Sequence, residues 1–496
     1  MRIRVLFVAC AALVGVACSN DPMTPSNIGA AGMPAGVGTG AAGAGLGTAA
    51  VSGSSGAGGG TTAGTAGVTA SGTAGTSTAG SGAAGGGGSR AGAGGSAPGA
   101  AGNTASEAGT GGAAGAGVAG TGAAGSGDCA SDNLLAIPDD VGVRGPWDVG
   151  VRTLQIGTRL TTEIFYPAEP GSTAGKPEAK YDLRQWLPAE DRDKVPADRS
   201  PLVGPLGGHL YRDVPIDAGH GPYPVIIFIH GTASTRFASG TLNTHWASRG
   251  FVVVAADYPF LGLADKLNEA CGRPYPEQDV PGDVNAQLAA LNAASGELAF
   301  LKGRIDMKRL GISGHSQGGC VSAELTSLPG VQISIPLSGS MPNATASLKS
   351  LMYISGISDQ VIGYDSSLIG NVVCSPGATS SKGAYTDSVA MGPKRLIGIT
   401  GGGHLVPTDL CQDNEQGRNA IEEAQFDGVC GIDNAVFIGL PALFDCGTIE
   451  LKAGLDAVIY PSTAALEEAL HCKDRKQAFD DMRTKLPQIG EFEHTP

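Results

Sequence analysis

The sequence predicts an α/β fold with a mostly parallel central sheet flanked by helices, preceded by a tether rich in Gly, Ala, Ser and Thr. Continuous apolar runs, which are typical of strands buried on both faces, recur along residues 128–496. Stretches with apolar residues at helical spacing separate these runs, as in βαβ units. One run also leads straight into a glycine-flanked serine, a junction typical of a sharp strand-to-helix turn.

The amino-acid composition divides the chain into a low-complexity segment and a segment typical of a folded domain. The 496 residues include 80 glycines and only 5% aromatics, and the glycines crowd into residues 18–127. Side chains there are mostly a hydrogen or a methyl group, so they cannot bury enough apolar surface to offset the entropy of ordering the backbone. We therefore expect residues 18–127 to be a flexible tether and residues 128–496 to form one catalytic domain.

The N-terminus predicts export. Arg2 and Arg4 precede an apolar run, residues 5–16, that is too short to span a membrane. The following Gly-Val-Ala-Cys resembles the lipobox of bacterial lipoproteins, although Gly15 stands where a larger aliphatic residue is usual. The resemblance implies a signal peptide over residues 1–17, lipidation at Cys18 and, from Ser19, an outer-membrane or cell-surface location. The alternative is an ordinary cleaved signal peptide and secretion.

The net charge restricts the partners. It is -14, and the tether carries few charged residues, so the acidity belongs to the folded part. An acidic surface disfavours nucleic acid and anionic lipid as partners. We expect a monomer that contacts membrane only through the anchor at Cys18.

Eight cysteines lie outside the predicted signal and anchor, and an even number in an exported chain predicts disulfides. They are Cys129, Cys271, Cys320, Cys374, Cys411, Cys430, Cys446 and Cys472. The last four predict local disulfides, whereas Cys320 is expected on a buried helix face as a free thiol. The absence of a Cys-x-x-Cys motif disfavours zinc, and we expect no metal or cofactor.

Apolar patterning assigns the main elements of the domain. Strands are predicted at residues 161–167, 225–229, 251–256, 309–313, 333–337, 351–354 and 395–399. Residues 283–301 predict a helix with Asp283 as its N-cap, and residues 463–486 predict two helices around Cys472.

Gly314-His315-Ser316-Gln317-Gly318 matches G-x-S-x-G between a predicted strand and a predicted helix. Glycines flank the serine because the turn is too tight for side chains. The turn raises the hydroxyl above the sheet, and the helix N-terminus behind it favours developing negative charge. Ser316 is therefore the candidate nucleophile.

A serine nucleophile needs a histidine base, which in this type of site follows it in sequence. Three histidines follow Ser316, namely His404, His471 and His494. His404 comes just after the predicted strand at 395–399, where a catalytic loop is expected. His471 falls within a predicted helix and His494 near the C-terminus, so we predict His404 as the base.

The carboxylate that orients the base is expected after the strand between the serine and the histidine. Asp359 follows the predicted strand at 351–354 most directly and is the candidate. Asp365 and Asp387 are the alternatives.

An oxyanion hole requires two backbone N–H groups that converge on one oxygen. The residue after the nucleophile, Gln317, supplies one of them. Thr232, in the His230-Gly231-Thr232 loop after the strand at 225–229, is the candidate for the second. His230 is expected to brace this loop by hydrogen bonds, and His315 to have a structural role.

With these residues placed, residues 151–486 resemble the α/β-hydrolase superfamily. The Gly-Pro-Tyr-Pro-Val segment at 221–225 and residues 306–319 are similar to the branch that holds platelet-activating-factor acetylhydrolases, chlorophyllases, dienelactone hydrolases and cutinase-like polyesterases. The serine departs from dienelactone hydrolases proper, which use cysteine. Gln317 departs from the methionine that is common in the polyesterases.

The resemblance implies hydrolysis of carboxylic esters through an acyl-enzyme, without a metal. Residues 176–220 and 362–387 are expected to be insertions that select the substrate, and Trp246 and Phe260 are candidates for lining the cleft. The alternatives are a peptidase or amidase on the same fold, a cutinase-like polyester hydrolase, and a catalytically silent surface-binding protein.

Overall fold

The computed structural model describes residues 133–200, 202–366, 374, 377–413, 418–432 and 445–496. The signal peptide predicted at 1–17, the lipidation site Cys18, the tether at 18–127 and Cys129 lie outside these residues. Within them, the predicted α/β fold with a mostly parallel sheet is confirmed.

The strands coincide with the predicted apolar runs and add several that the patterning did not indicate. They are β1 (Val149–Ile156), β2 (Leu160–Pro167), β3 (Tyr181–Asp182), β4 (Leu202–Val203), β5 (Leu210–Arg212), β6 (Tyr223–Ile229), β7 (Val252–Asp257), β8 (Ile305–His315), β9 (Val331–Leu337), β10 (Ser350–Gly356), β11 (Lys394–Ile399) and β12 (Ile489–Thr495).

Among the described residues, ten strands form one sheet in the order β12-β11-β10-β9-β8-β6-β7-β2-β1-β5, and β3 pairs with β4 in a separate two-stranded sheet. The six strands from β11 to β7 run parallel. Antiparallel strands, β2 and β12, border this parallel block. The order reverses between β6 and β8, and the carboxyl ends of all six parallel strands meet at one edge.

The central strands read as continuous apolar runs because both of their faces are buried. In β6, Ile226 and Phe228 belong to one core, whereas Val225 and Ile227 belong to the core on the opposite face. The period-two geometry of a strand sends alternate side chains to opposite faces, so helices must cover both.

The helices are α1 (Gly240–Ser248), α2 (Leu263–Ala270), α3 (Val280–Ala293), α4 (Gln317–Glu324), α5 (Ser381–Asp387), α6 (Ala420–Phe426), α7 (Leu451–Leu470) and α8 (Lys476–Lys485). Side chains of α1, α7 and α8 contribute to the core on one face, and those of α3 to the core on the other. None of the described helices combines the length and apolar character needed to cross a bilayer.

Two boundaries differ from the sequence prediction. Helix α3 begins earlier than expected, because Asp279 rather than Asp283 is the N-cap and accepts a hydrogen bond from the amide of Gly282. The helix ends at Ala293, and residues 296–301 form a separate 3₁₀ turn. The two helices predicted around Cys472 are present as α7 and α8.

The disulfides correct two expectations. Cys320 is not a free thiol, because it is bonded to Cys374. Cys411 pairs locally with Cys446, but Cys430 pairs with Cys271, 159 residues away, so the last four cysteines do not form one local group. Cys472 is disulfide-bonded as well. Several disulfides in one domain are typical of an exported protein.

Candidate active site

Three polar side chains meet at the carboxyl edge of the parallel strands. Ser316 directly follows β8, Asp359 lies three residues after β10, and His404 lies five residues after β11. Because neighbouring parallel strands end at the same edge, residues that are distant in sequence come together there. All three are almost completely buried.

Ser316 occupies a strained turn between β8 and α4. Its backbone angles are φ 57° and ψ -123°, a region that non-glycine residues rarely adopt. The turn leaves no room for a side chain at position 314 or at position 318. A Cβ on Gly314 would lie 2.4 Å from the carbonyl oxygen of Gly318, and one on Gly318 would lie 2.1 Å from that of Ile229. The pattern of glycines is therefore a steric requirement of this junction.

His404 is positioned to accept the proton of the Ser316 hydroxyl. Its Nε2 lies 2.9 Å from Ser316 Oγ, within hydrogen-bond reach. On the other side of the ring, Nδ1 lies 2.9 Å from Asp359 Oδ2. A proton on Nδ1 leaves Nε2 as the acceptor, which is the tautomer that a general base requires.

Asp359 is held in its charged form despite its burial. Burial raises the pKa of its carboxyl group, but the neighbouring His404 and the amides of Val361 and Ile362 outweigh this effect, and the net pKa is below the ordinary value. These two amides donate to Oδ1 at 2.8 and 3.0 Å, which leaves Oδ2 for His404.

The residues considered as alternatives to Asp359 and His404 lie outside this site. Asp365 is exposed, and Asp387 is exposed at the end of α5. His471 follows the last residue of α7 and packs against Phe251, with ring centroids 4.2 Å apart. His494 lies in β12 beside Phe492.

His315, expected to be structural, positions the backbone of His404. Its Nε2 donates to the carbonyl oxygen of His404 at 2.8 Å, and Ser338 Oγ approaches the same oxygen at 3.4 Å. Burial lowers the pKa of His315 to about 3, so the ring is neutral and keeps a single donor. The residue beside the nucleophile thus anchors the loop that carries the base, a role that the motif alone does not reveal.

Thr232 and Gln317 face each other beside the nucleophile. Gly231 brings their two segments together, since a Cβ there would lie 2.8 Å from Ser316 Cβ. Thr232 Oγ1 donates to Gln317 Oε1 at 2.7 Å. Across the part of the chain that the structure describes, neither backbone amide donates to another protein group. Both amides therefore meet a basic requirement for an oxyanion hole.

His230 braces this loop, as predicted. Its Nδ1 donates to the carbonyl oxygen of Gly231 at 2.8 Å, and its Nε2 accepts from the amide of Tyr258 at 3.1 Å. Both ring nitrogens are occupied, so His230 has no free nitrogen to act as a base here.

A small cavity lies beside Ser316 and is lined by Thr232, Ala233, Leu405 and Leu410 among others. The structure does not bring Trp246 to it. Trp246 is fully buried in the core, packs against Phe228 and donates from Nε1 to Ser462 Oγ at 3.3 Å. Phe260 does not line this cavity either, since its ring packs at a tilt against Tyr275, and Lys266 Nζ lies 3.3 Å from the ring centroid.

Metal-ligating side chains do not cluster within the described ranges, where no group of three or more His, Cys, Asp or Glu has a suitable arrangement. The site consists of a hydroxyl, an imidazole, a carboxylate and two amides. That set can activate a nucleophile and hold an oxyanion.

Comparison with known proteins agrees with the fold. The sequence profile of the chlorophyllase family matches residues 213–339, and that of platelet-activating factor acetylhydrolase, isoform II, matches residues 137–259. A bis(hydroxyethyl) terephthalate hydrolase of Streptomyces coelicolor is 32% identical over 137 residues, which are 27% of this chain and 38% of that protein. The chain therefore aligns with well under half of that relative's length. Neither family profile extends to Asp359 or His404.

The fold and these matches identify the chain as a member of the α/β-hydrolase superfamily. Within the superfamily, the matches support the esterase branch that contains the chlorophyllase and platelet-activating factor acetylhydrolase families.

Proposed function

We propose that the protein is a serine hydrolase that cleaves carboxylic esters through an acyl-enzyme. The observation that carries the proposal is the continuous hydrogen-bonded relay from Asp359 through His404 to Ser316, in which both contacts are 2.9 Å long. The strained backbone of Ser316 and the two unengaged amides beside it support the same reaction. So do the names of the relatives, each of which is a hydrolase or belongs to an esterase family.

In the first half of the proposed reaction, Ser316 Oγ attacks the carbonyl carbon of the ester while His404 Nε2 takes the hydroxyl proton. The carbonyl oxygen becomes negative and accepts hydrogen bonds from the amides of Thr232 and Gln317. Asp359 stabilises the imidazolium that forms. The tetrahedral intermediate collapses, the C–O bond to the alcohol breaks, and His404 returns the proton to the departing alkoxide.

In the second half, a water molecule takes the place of the alcohol. His404 removes a proton from this water as it attacks the acyl carbon, and a second tetrahedral intermediate forms in the same oxyanion hole. Collapse breaks the bond to Ser316 Oγ, which regains its proton from His404. The carboxylic acid leaves and the free enzyme is restored.

The cellular setting is part of the proposal. The described disulfides Cys271–Cys430, Cys320–Cys374 and Cys411–Cys446 fit an oxidising compartment outside the cytosol. We propose export with a lipid anchor at Cys18, so that the domain acts as a monomer at the cell surface on an ester substrate. Mass spectrometry of the mature N-terminus tests the anchor directly.

The similarity to the terephthalate ester hydrolase favours aromatic esters as one class to test. A panel should therefore hold p-nitrophenyl acetate, bis(hydroxyethyl) terephthalate, a polyester film and a peptide p-nitroanilide. Turnover of the anilide in preference to the esters would favour a peptidase or amidase, and turnover of the film a polyester hydrolase.

The decisive experiment combines a fluorophosphonate probe with Ser316→Ala. Wild-type protein is expected to be labelled at Ser316 and to hydrolyse p-nitrophenyl acetate, whereas the alanine variant should be unlabelled and reduced to background hydrolysis. Ser334→Ala, which removes a buried hydroxyl in β9 that contacts only the backbone of Ser322, is the control and should retain labelling. Folded wild-type protein that takes no label would contradict the proposal and favour a silent binding protein.

A further inference from the structure

A second, larger cavity adjoins the small one at Ser316. It shares the wall residues Ala233 and Leu410 with the small cavity. Ala233 directly follows the proposed oxyanion donor Thr232, and Leu410 lies in the loop that carries His404. The second space, the apolar cavity, therefore lies directly beside the place where the carbonyl group of an ester would meet Ser316.

The walls of the apolar cavity come from three separate parts of the chain. Leu187 and Val195 belong to the predicted insertion at 176–220, Leu263 belongs to α2, and Ile421 and Ala424 belong to α6. These side chains form a hydrophobic cluster distinct from the two cores on the faces of the sheet. The cavity is thus built by additions to the sheet rather than by the sheet itself.

The polar residues at the cavity are engaged with one another in its walls. Arg184 pairs with the carboxylate of Asp182, which also accepts from Ser200 Oγ at 2.5 Å. Glu423 is buried and accepts from Arg418 Nε at 2.5 Å. With their charges compensated inside the walls, these residues leave an apolar interior that suits a hydrocarbon group.

One wall is fixed to the sheet by buried charges. Trp186 Nε1 donates to Asp257 Oδ2 at 3.2 Å, and Arg236 pairs with the same carboxylate. Arg236 Nε also donates to Glu163 Oε2 at 3.1 Å in the middle of β2. The segment that carries Leu187 is therefore held against the strands next to the proposed oxyanion loop.

The opposite wall is fixed to this segment and to α2. Arg273 Nη1 donates to Asp191 Oδ2 at 2.6 Å, and Lys194 Nζ donates to the carbonyl oxygen of Gly428 at 3.1 Å. The disulfide Cys271–Cys430 joins the residue after α2 to the loop after α6. These ties across all three segments make the cavity a preformed part of the structure.

We infer that the apolar cavity receives the hydrocarbon part of the ester, its acyl chain or its alcohol, so that the natural substrates carry a group considerably larger than acetyl. The inference rests on the proposed function. The cavity lies against two segments that border the reacting atoms, and its lining is mostly apolar.

Filling the cavity tests the inference. Ala424→Phe places an aromatic ring in the space, and Gln425→Phe adds the same ring to the exposed face of the same helix as a matched control. The assay is kcat/KM for two series, p-nitrophenyl esters of acyl groups from acetyl to decanoyl and acetates of alcohols from ethanol to decanol. The two series reveal whether the acyl or the alcohol group occupies the cavity.

Ala424→Phe is expected to lower the octanoate-to-acetate ratio, or its alkyl equivalent, at least about tenfold while acetate turnover persists. Gln425→Phe should leave both ratios unchanged. Val195→Phe fills the cavity from the opposite wall and should reproduce the shift, which guards against a folding defect in a single variant.

Unchanged ratios in both filling variants, with acetate turnover intact, would overturn the inference and leave the proposed function standing. If Ser316→Ala hydrolyses acetate as fast as the wild type, the proposed function itself fails. Fluorophosphonate labelling of each variant separates the two cases, because it reports on Ser316 and not on chain length.

Discussion

The carboxyl edge of the sheet and the apolar cavity beside it are built on different principles. At the edge, Ser316, Asp359 and His404 follow the parallel strands β8, β10 and β11, and the sheet itself fixes their separations. In the cavity, the side chains come from an insertion and two helices that ion pairs and a disulfide hold together. The comparison indicates that reaction chemistry and substrate choice are specified by separate parts of the sequence, so each should be variable without the other.

The largest effect is expected from a change at the edge that leaves the cavity untouched. Asp359→Asn keeps the shape of the side chain but favours the wrong tautomer of His404, and kcat should fall by about 10⁴ for every ester. The ratio of octanoate to acetate turnover should not change. Asp365→Asn, at an exposed carboxylate six residues later, is the control and should retain activity. A marked change in chain-length preference in Asp359→Asn would show that the two parts are coupled.

A smaller effect is expected from removing a disulfide that holds two walls of the apolar cavity together. The double change Cys271→Ser/Cys430→Ser removes the disulfide between two walls and should lower octanoate turnover about fivefold to tenfold, while acetate turnover is nearly kept. Thermal unfolding should also shift by the amount that corresponds to about 2–4 kcal/mol.

The matched control is Cys411→Ser/Cys446→Ser, which removes a disulfide from the loop that follows His404. This pair should lower the turnover of both esters alike. If both double variants give the same chain-length profile, the distinction between the edge and the cavity would be wrong.

The smallest effect concerns Asp409, which lies in the loop between His404 and the cavity. Its buried carboxylate accepts from the amide and the hydroxyl of Thr241 at 2.7 and 2.5 Å. Burial raises its pKa from 3.8 to about 6, against the opposing effect of Thr241. The folded state thus binds this proton more tightly than the unfolded chain, so the stabilisation is complete below about pH 4 and is lost as the pH rises through about 6.

The unfolding free energy of the wild type should fall by about 2 kcal/mol between pH 4 and pH 7 because of this group, and Asp409→Asn, which cannot ionise, should not show this fall. Urea unfolding at several pH values measures this difference. Asp456→Asn, at a solvent-exposed ion pair with Lys452, should keep the wild-type slope. An identical slope in Asp409→Asn would contradict the assigned titration.

The sheet could be predicted from sequence because local patterns determine it. Residues such as Ile226 and Val253 lie in runs whose length and continuity require burial on both faces. Ser316, Asp359 and His404 could be predicted to lie at the carboxyl edge of the sheet, because each comes just after one of those runs. Strand β12 was missed because Ile489 is followed by polar and charged residues, an edge-strand pattern without a clear apolar period.

What the sequence could not predict depends on contacts between distant segments. Cys320 was expected to be a free thiol because its own helix is buried, but its partner Cys374 lies beyond two strands. Trp246 was a candidate for the cleft because large aromatics often line such sites, whereas its ring meets Phe228 and α7 in the core. Leu187 and Ala424 were not candidates, because no local pattern shows that they share a cavity.

The direction of the strands also governs how the molecule can be attached to a support. Asn133 pairs with Gly221, just before β6 begins, and Thr495 pairs with Lys394 at the start of β11. Asn133 and Thr495 therefore both lie at the amino edge of the sheet, about 20 Å of strand away from the edge that carries Ser316. A bead or a fused protein attached beside either residue would lie at the edge opposite the site, so that the attachment and the reaction would use different sides of the sheet.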